Sequence, residues 1–383
     1  MASRRLPISL ISMLKQMLLL GGRHWWLSFL LWIILVGPAQ AATELRVAIQ
    51  EGISRVQVGS STKAVVRDST GQEVGQLEAM NAFNAQGGGG NVALAKWRSR
   101  SLSIEPTGDG FVWIGGHWYR GRTELVASSK GITAVNHVNL EHYLYSVLGS
   151  EMFPDWPQEA LKAQAVAARS YALYKRSTSK NTVYDVGDTT TWQVYKGVDG
   201  EAQGTHQAVD ATAGQVMTYN GQVILAVFHS SSGGHTENVE DIWTDRLPYL
   251  RGVVDYDIGA PVFEWTKNLS RSELSSKISG VGNVVSMTPE RKTPNGRIIT
   301  MLVTGDRGKK RISGNDLRNT LGLKSTLFVV NPNGNGFQIQ GRGFGHGLGL
   351  SQWGAHNLAT QGVNYQQILG HYYQNATLAQ LPS

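Results

Sequence analysis

Residues 139–176 read NLEHYLYSVLGSEMFPDWPQEALKAQAVAARSYALYKR, and this stretch decides the fold. Leu140, Tyr143, Leu144, Val147 and Leu148 recur at i, i+3, i+4, i+7 and i+8, which gives a first helix one apolar face. Asn139 reads as its N-cap and Gly149 as its stop. A second helix opens near Asp155-Trp156-Pro157, where proline's missing N–H and fixed φ do no harm, and continues through alanine-rich turns to Tyr174. Alanine forms helix best, and its small side chain lets neighbouring backbone come close. Between the helices lies a short elbow carrying Glu151, flanked by Met152, Phe153 and Trp156. Apolar neighbours disfavour a charged carboxylate and raise its pKa, which makes Glu151 the first candidate for a general acid.

The chain has 383 residues, enough for a sizeable core and for two domains or one large one. Residues 1–41 stand apart. Arg4, Arg5, Lys15 and Arg23 precede the apolar run Trp25–Val36, which is followed by Pro38 and the small-residue site Ala39-Gln40-Ala41. That order describes a secretory signal peptide. An uncleaved membrane anchor is the alternative, though the run is short of the roughly 20 residues a span needs. The segment holds four of the 35 Lys and Arg and none of the 28 Asp and Glu, so the net charge beyond it is 31 − 28, or +3. Such a balance gives no argument for nucleic acid. Cysteine is absent. In an oxidising compartment this removes disulfides and thiolate chemistry together, and a zinc site would need His and carboxylate ligands alone.

From Leu45 to about Val138 short β-rich runs such as LRVAI, RVQVG, FVWIGG and ITAVNHV are bounded by Gly, Ser, Asp or Asn. Asn81–Asn91, with four consecutive glycines, reads as a flexible loop; no lysine or helix start follows in phosphate-cradle register. Val216–Phe228 is a hairpin turning at Asn220-Gly221, and it delivers His229-Ser-Ser-Ser-Gly-Gly-His235. Ser270 and Glu273 form a capping box for a helix over 270–278. A second hairpin spans 326–340. Gly341, Gly343, Gly345, Gly347 and Gly349 alternate strictly, which in an extended strand leaves one face bare. The fold class is α+β, strand-rich, with a helix–elbow–helix at its centre.

GSEMFPDWPQEALKAQAVAARSYAL, FHSSSGGHTE, LPYLRGV, NDLRNTLGLKSTLF and GRGFGHGLGLSQWGA, in this order, resemble the SpoIID/LytB family of stage II sporulation protein D and the amidase enhancers. The likeness runs from roughly Leu45 to Ala376 and is poorest over 60–100. Beyond the signal peptide read at 1–41, the chain divides into a strand-rich part (42–135) and the part that resembles the family's catalytic unit (136–383), with 42–383 as one compact unit the alternative. The family includes lytic transglycosylases that cut peptidoglycan glycan strands already stripped of stem peptides. The resemblance gives the acid of its S-E-M motif to Glu151 and the activity-linked arginine of its A-A-R-[ST]-Y helix to Arg169. It gives the P-Y-L-[KR] pair to Tyr249 and Arg251. Other relatives are enhancers of a partner cell-wall amidase, so a non-catalytic wall-binding enhancer is the second reading. Some relatives bind zinc near the H-x-[SC]-x-G-G loop with cysteine. Serines at 230–232 argue against that site here, and no cofactor is expected.

One acid suffices for a transglycosylase, whereas glycoside hydrolases use two carboxylates. The structural alternative for Glu151 is a surface carboxylate at a helix end. Arg169 lies on a largely apolar stripe and needs an acidic partner or a ligand; a freed lactyl carboxylate and a salt bridge to Glu151 are both compatible with it. Ser231, in the HSSSGG loop, joins Tyr249, Arg251, His346 and Gln352 as the expected substrate-binding set, with packing the alternative for His346 and Gln352. His229 and His235, six residues apart, are a weak metal pattern. Trp192, Tyr195 and Trp353 are stacking faces or core. The expected location is secreted or periplasmic, at the cell wall.

Overall fold

Antiparallel ladders account for the first hundred described residues, as their alternating pattern demands. β1 (Glu44–Ile53) pairs with β2 (Gly131–Asn139), Val47 opposite Asn136. They belong to a seven-stranded sheet that runs edge to edge through Val186–Gly187, β1, β2, Arg122–Ser128, Ser101–Pro106, Ala64–Asp68 and Glu73–Leu77. A six-stranded sheet made of shorter strands between Arg55 and Tyr119 shares its core, with Val58, Val92, Leu94 and Ile114 fully buried beside Leu102, Ile104 and Leu125. This computed structural model describes residues 43–382 other than 244 and 335. The segment read as a secretory signal over 1–41 lies outside the described residues. Thr43–Pro382 form one compact unit.

The glycine-rich run 81–91 is ordered, against expectation. Ala82–Gly88 and Asn91–Leu94 are paired strands, joined through Gly89 and Gly90 at φ +59° and +75°. Two consecutive positive φ values make the tight hairpin turn that glycine adopts without strain. Asn220-Gly221, at +50° and +76°, turns the expected hairpin in the same way.

β2 passes straight into α1 (Leu140–Glu151). Asn139 caps it, its side chain accepting the N–H groups of Glu141 and His142 at 2.8 and 3.3 Å. The helix does not stop at Gly149 but runs on to Glu151. Gly149 serves close approach instead, since a Cβ there would stand 2.1 Å from the Gly200 carbonyl. The elbow is therefore shorter than expected, and Glu151 is the last helical residue. α2 (Gln158–Thr178) buries Ala160, Ala163, Ala165, Ala167, Ala168 and Ala172. So small a surface lets α1, α3 (Gln352–Thr360) and the C-terminal helix Tyr365–Tyr372 all close on it.

A second, smaller core lies within 269–339 and holds Leu274, Val281, Val284, Met301, Val303, Leu317 and Ile339. Its sheets are β3 (Glu264–Ser270), β4 (Phe328–Asn333) and β5 (Gly336–Arg342), in the order β3-β5-β4, and a meander of 284–292, 298–305 and 308–313. The Ser270–Glu273 capping box forms as its spacing requires. Among the described residues no helix is long and apolar enough to cross a membrane.

His137 ties β1 to its sheet. The ring is buried and sits between Glu124 (2.8 Å) and Glu44 (3.0 Å). Burial pulls its pKa down, but the two carboxylates outweigh burial and raise it, while both glutamates are lowered. A raised histidine pKa contributes stability that is complete below about pH 6.5 and is lost as pH rises through the folded value. Chemical denaturation of the wild type should show that loss. His137→Gln should flatten it and cost roughly 1–3 kcal/mol at pH 6; an unchanged pH dependence in the variant would refute the clamp.

Candidate active site

Glu151 ends α1 with its carboxyl turned under the loop 188–196. The N–H of Val194 donates to its Oε1 at 3.0 Å, and the same loop is pinned by Lys196 N to Ser146 Oγ at 3.2 Å and by Tyr195 N to Asp188 O at 3.0 Å. Burial raises the Glu151 pKa, opposed by the Val194 N–H, the Gln352 amide and the charge of Lys196. Burial wins, so the group is held toward its acid form. Among the described residues no second carboxylate acts on it. Gln352 begins α3 beside the carboxyl and favours its charged form, at a geometry short of a full hydrogen bond. Its Nε2 is buried and has no partner. Tyr171 of α2 faces the same carboxyl; burial, then the Glu151 charge, push its pKa up to about 12.

The expected flanking residues contribute unequally. Met152 is buried, but Phe153 is 61% exposed. Trp156 packs against Trp353 (ring centroids 4.6 Å apart) and His356 (4.7 Å). The elbow thus carries an aromatic cluster of Phe153, Trp156, Trp353 and His356 next to the acid. Trp192 lies under the Lys175 ammonium, and Tyr195 is core, its hydroxyl donating to Asn136 at 2.7 Å.

The alternating glycines are not a flat strand. β5 ends at Arg342, and Gly343, Gly345, Gly347 and Gly349 all have positive φ, from +64° to +120°. Each is pressed against a neighbour where a Cβ has no room: Ser231 O, His229, the Arg297 guanidinium and Val227 O. The ribbon winds through the HSSSGG loop. That loop is held from behind by two buried aspartates. Ser231 Oγ donates to Asp257, as do Gly233 N and Gly234 N at 2.8 and 2.9 Å, while Ser232 Oγ and Tyr372 Oη donate to Asp255. The ribbon ends by delivering Gln352 to Glu151.

Of the residues expected at the site, Gln352 alone stands beside Glu151. Arg169 does not reach it. The guanidinium is fully buried and forks onto Glu141, Nε to Oε1 at 2.9 Å and Nη2 to Oε2 at 2.6 Å, with Nη1 on Gln215 O at 3.0 Å. It clamps α2 to the first turn of α1, and its ion pair is with Glu141 rather than Glu151. Ser231 is buried on Asp257. Tyr249 is buried, its hydroxyl accepting from Leu225 N at 3.4 Å. Arg251 forks onto Glu240 at 2.7 and 2.7 Å. Each of the three has an internal partner, while the Arg251 side chain stays partly exposed. His346 donates from Nε2 to Phe228 O at 2.9 Å and accepts Leu348 N at Nδ1; burial keeps it neutral. His229 is neutral too, pushed by burial to about 3. Among the described residues no three His, Cys, Asp or Glu converge on a metal position. Sequence reasoning missed Val194, Lys196 and Tyr171. A backbone N–H carries no side-chain signal, whereas Tyr171 lies on the buried face of α2, one turn past Ala167, and was legible there.

The site is a single half-buried acid on an α+β scaffold, framed by a glycine ribbon. Residues 128–219 match the family model described as stage II sporulation protein, and 255–349 match a domain of unknown function. An uncharacterized protein of Brachyspira hyodysenteriae is 37% identical over 281 residues, covering 71% of this chain and 75% of the relative. Stage II sporulation protein D of Bacillus subtilis is 35% identical over 269 residues, covering 64% and 76%. The amidase enhancer of the same organism is 32% identical over 290 residues, covering 61% of this chain and 40% of the enhancer. The chain belongs to the SpoIID family.

Two outcomes test this geometry. Because the folded pKa of Glu151 exceeds the unfolded value near 4.3, its stability contribution is complete below about pH 4 and is lost as pH rises through the folded value. Glu151→Gln should therefore match the wild type in thermal melts at pH 4 and surpass it at pH 8; a variant less stable at pH 8 contradicts the assignment. Arg169→Met should cost about 3–5 kcal/mol, since it leaves Glu141 without its partner. Glu141→Gln should cost less in the Arg169→Met background than in the wild type, and strict additivity in urea melts would dissolve the clamp.

Proposed function

We propose that this protein is a peptidoglycan lytic transglycosylase acting on glycan strands that lack stem peptides. The observation that carries the reading is a half-buried glutamate held toward its acid form with, among the described residues, no second carboxylate acting on it. A glycoside hydrolase needs that second group as nucleophile or to activate water. Transglycosylation does not. The Glu151 proton passes to the glycosidic oxygen as the bond to C1 of N-acetylmuramic acid breaks and the sugar gains oxocarbenium character. The resulting carboxylate then takes the proton of the 6-hydroxyl on the same sugar while that oxygen bonds to C1. A 1,6-anhydro end forms, Glu151 is again an acid, and no water is consumed. Attack within one sugar has an effective molarity on the order of 10⁵ M or more, which offsets the missing base. The Val194 N–H and the Gln352 amide favour the ionised form and so support the base half of the cycle.

The aromatic cluster at the elbow offers flat faces for the sugars on either side of the cut bond. The substrate places the protein outside the cytoplasm at the cell wall, secreted, periplasmic or held by its N-terminal segment. The second reading, a non-catalytic wall-binding enhancer of an amidase, draws on the relative of that name.

Glu151→Gln, folded like the wild type by circular dichroism, should release no anhydro-muramic products from peptide-free glycan in mass spectrometry, a loss of at least 10³-fold. Wild-type yield from the variant overturns the mechanism. Reducing N-acetylmuramic ends from the wild type would mean hydrolysis, and no cleavage by the wild type would favour the enhancer. Activity should also fall as pH rises through the raised pKa of Glu151, because the acid form is lost.

A further inference from the structure

A second cleft lies in the part matched by the family of unknown function. Trp265 on β3, Gly341 on β5 and Phe328 on β4 stand side by side across three strands. The Trp265 indole lies against the bare glycine, where a Cβ would stand 2.2 Å from the ring, and its Nε1 donates to Gly343 O at 3.0 Å. The ring is thus held in one orientation. Beside it is a cavity of about 500 Å³, lined among others by Trp265, Phe328, Glu264, Gln340, Lys292 and Arg342. That volume is typical of a ligand site. Arg342 sits opposite Glu264 in the β3–β5 register, yet no ion pair joins them. Among the described residues neither the Arg342 guanidinium nor the Lys292 ammonium has an ion-pair or hydrogen-bond partner.

A fixed aromatic face with two uncommitted cations suits a sugar ring that bears a carboxylate. We propose that this cleft is a second glycan-binding site, taking the lactyl carboxylate of a peptide-free N-acetylmuramic acid remote from the bond that is cut. The proposal rests on the reading of glycan as the ligand of this protein. It extends that reading from one acid to a strand held at two points. Arg342 and Gln352 are ten residues apart, so the two positions are at most about 35 Å from each other, within reach of one strand.

The test uses the full chain carrying Glu151→Gln, so that glycan is bound and not cut. Peptide-free oligomers of alternating N-acetylglucosamine and N-acetylmuramic acid are titrated calorimetrically, with chitin oligomers, which lack carboxylates, as the comparison. Adding Lys292→Gln and Arg342→Gln should weaken binding of long muramic oligomers at least tenfold, reduce its salt dependence, and leave chitin binding unchanged. Gly341→Ala, which displaces the indole, should weaken the same binding with both cations in place. Unchanged affinity in the folded double variant overturns the proposal. So does tighter binding of an acidic peptide that depends on the same two residues. With Glu151 intact, the double variant should raise KM on long strands and leave kcat on short ones unaltered. Absence of anhydro products from every chain, with the affinity loss present, would refute the transglycosylase reading and leave this site standing.

Discussion

A carboxyl group taken out of water must be paired, hydrogen-bonded or protonated, and the environment of Glu151 provides little of the first two. One backbone N–H, one amide at imperfect geometry and an exposed lysine oppose its burial, and burial prevails. Keeping it so requires a helix that runs on past Gly149, a loop laid over its end, and a third helix delivered to its flank. Gly149 allows the 200 loop to close against α1. The alanine surface of α2 lets α1 and α3 approach from two sides. The Arg169–Glu141 fork ties α2 to the first turn of α1, the helix that presents the acid.

The glycine ribbon is the other half of this arrangement. Its positive-φ residues wind where side chains would strike Ser231, His229, Arg297 and Val227. Buried Asp255 and Asp257 hold the facing loop through hydroxyl and backbone donors, which is how buried carboxylates are tolerated. Two segments far apart in sequence are thereby locked, and their joint product is the position of Gln352. The smaller core of 269–339 is continuous with this ribbon through β5.

The helix pair was legible because its apolar period is long and its cap residues are distinctive. Glu151 was legible as an acid, though for a partly mistaken reason: Phe153 faces solvent, and burial owes more to the loop over the helix end. The glycine alternation misled because spacing is the same in a flat strand and in a positive-φ ribbon. Only the neighbours decide between them. Arg169 needed an acidic partner by its apolar surroundings, but whether that was Glu141 or Glu151 depends on how two helices cross, which sequence spacing does not encode. Ser231, Tyr249 and Arg251 stand in motifs whose resemblance to the family implies substrate contact, which spacing alone does not reveal. Each is committed to an internal partner.

The central claim is that burial holds the Glu151 carboxyl above the ordinary glutamate range, toward its acid form. Carbon-13 NMR titration of the glutamate side-chain carboxyls, with Glu151 assigned by its absence in Glu151→Gln, measures this directly. The expected result is that the Glu151 signal titrates clearly above the ordinary glutamate value of about 4.3 while exposed glutamates titrate near it. Titration of Glu151 at or below that value would mean a carboxylate held ionised, and would contradict the account.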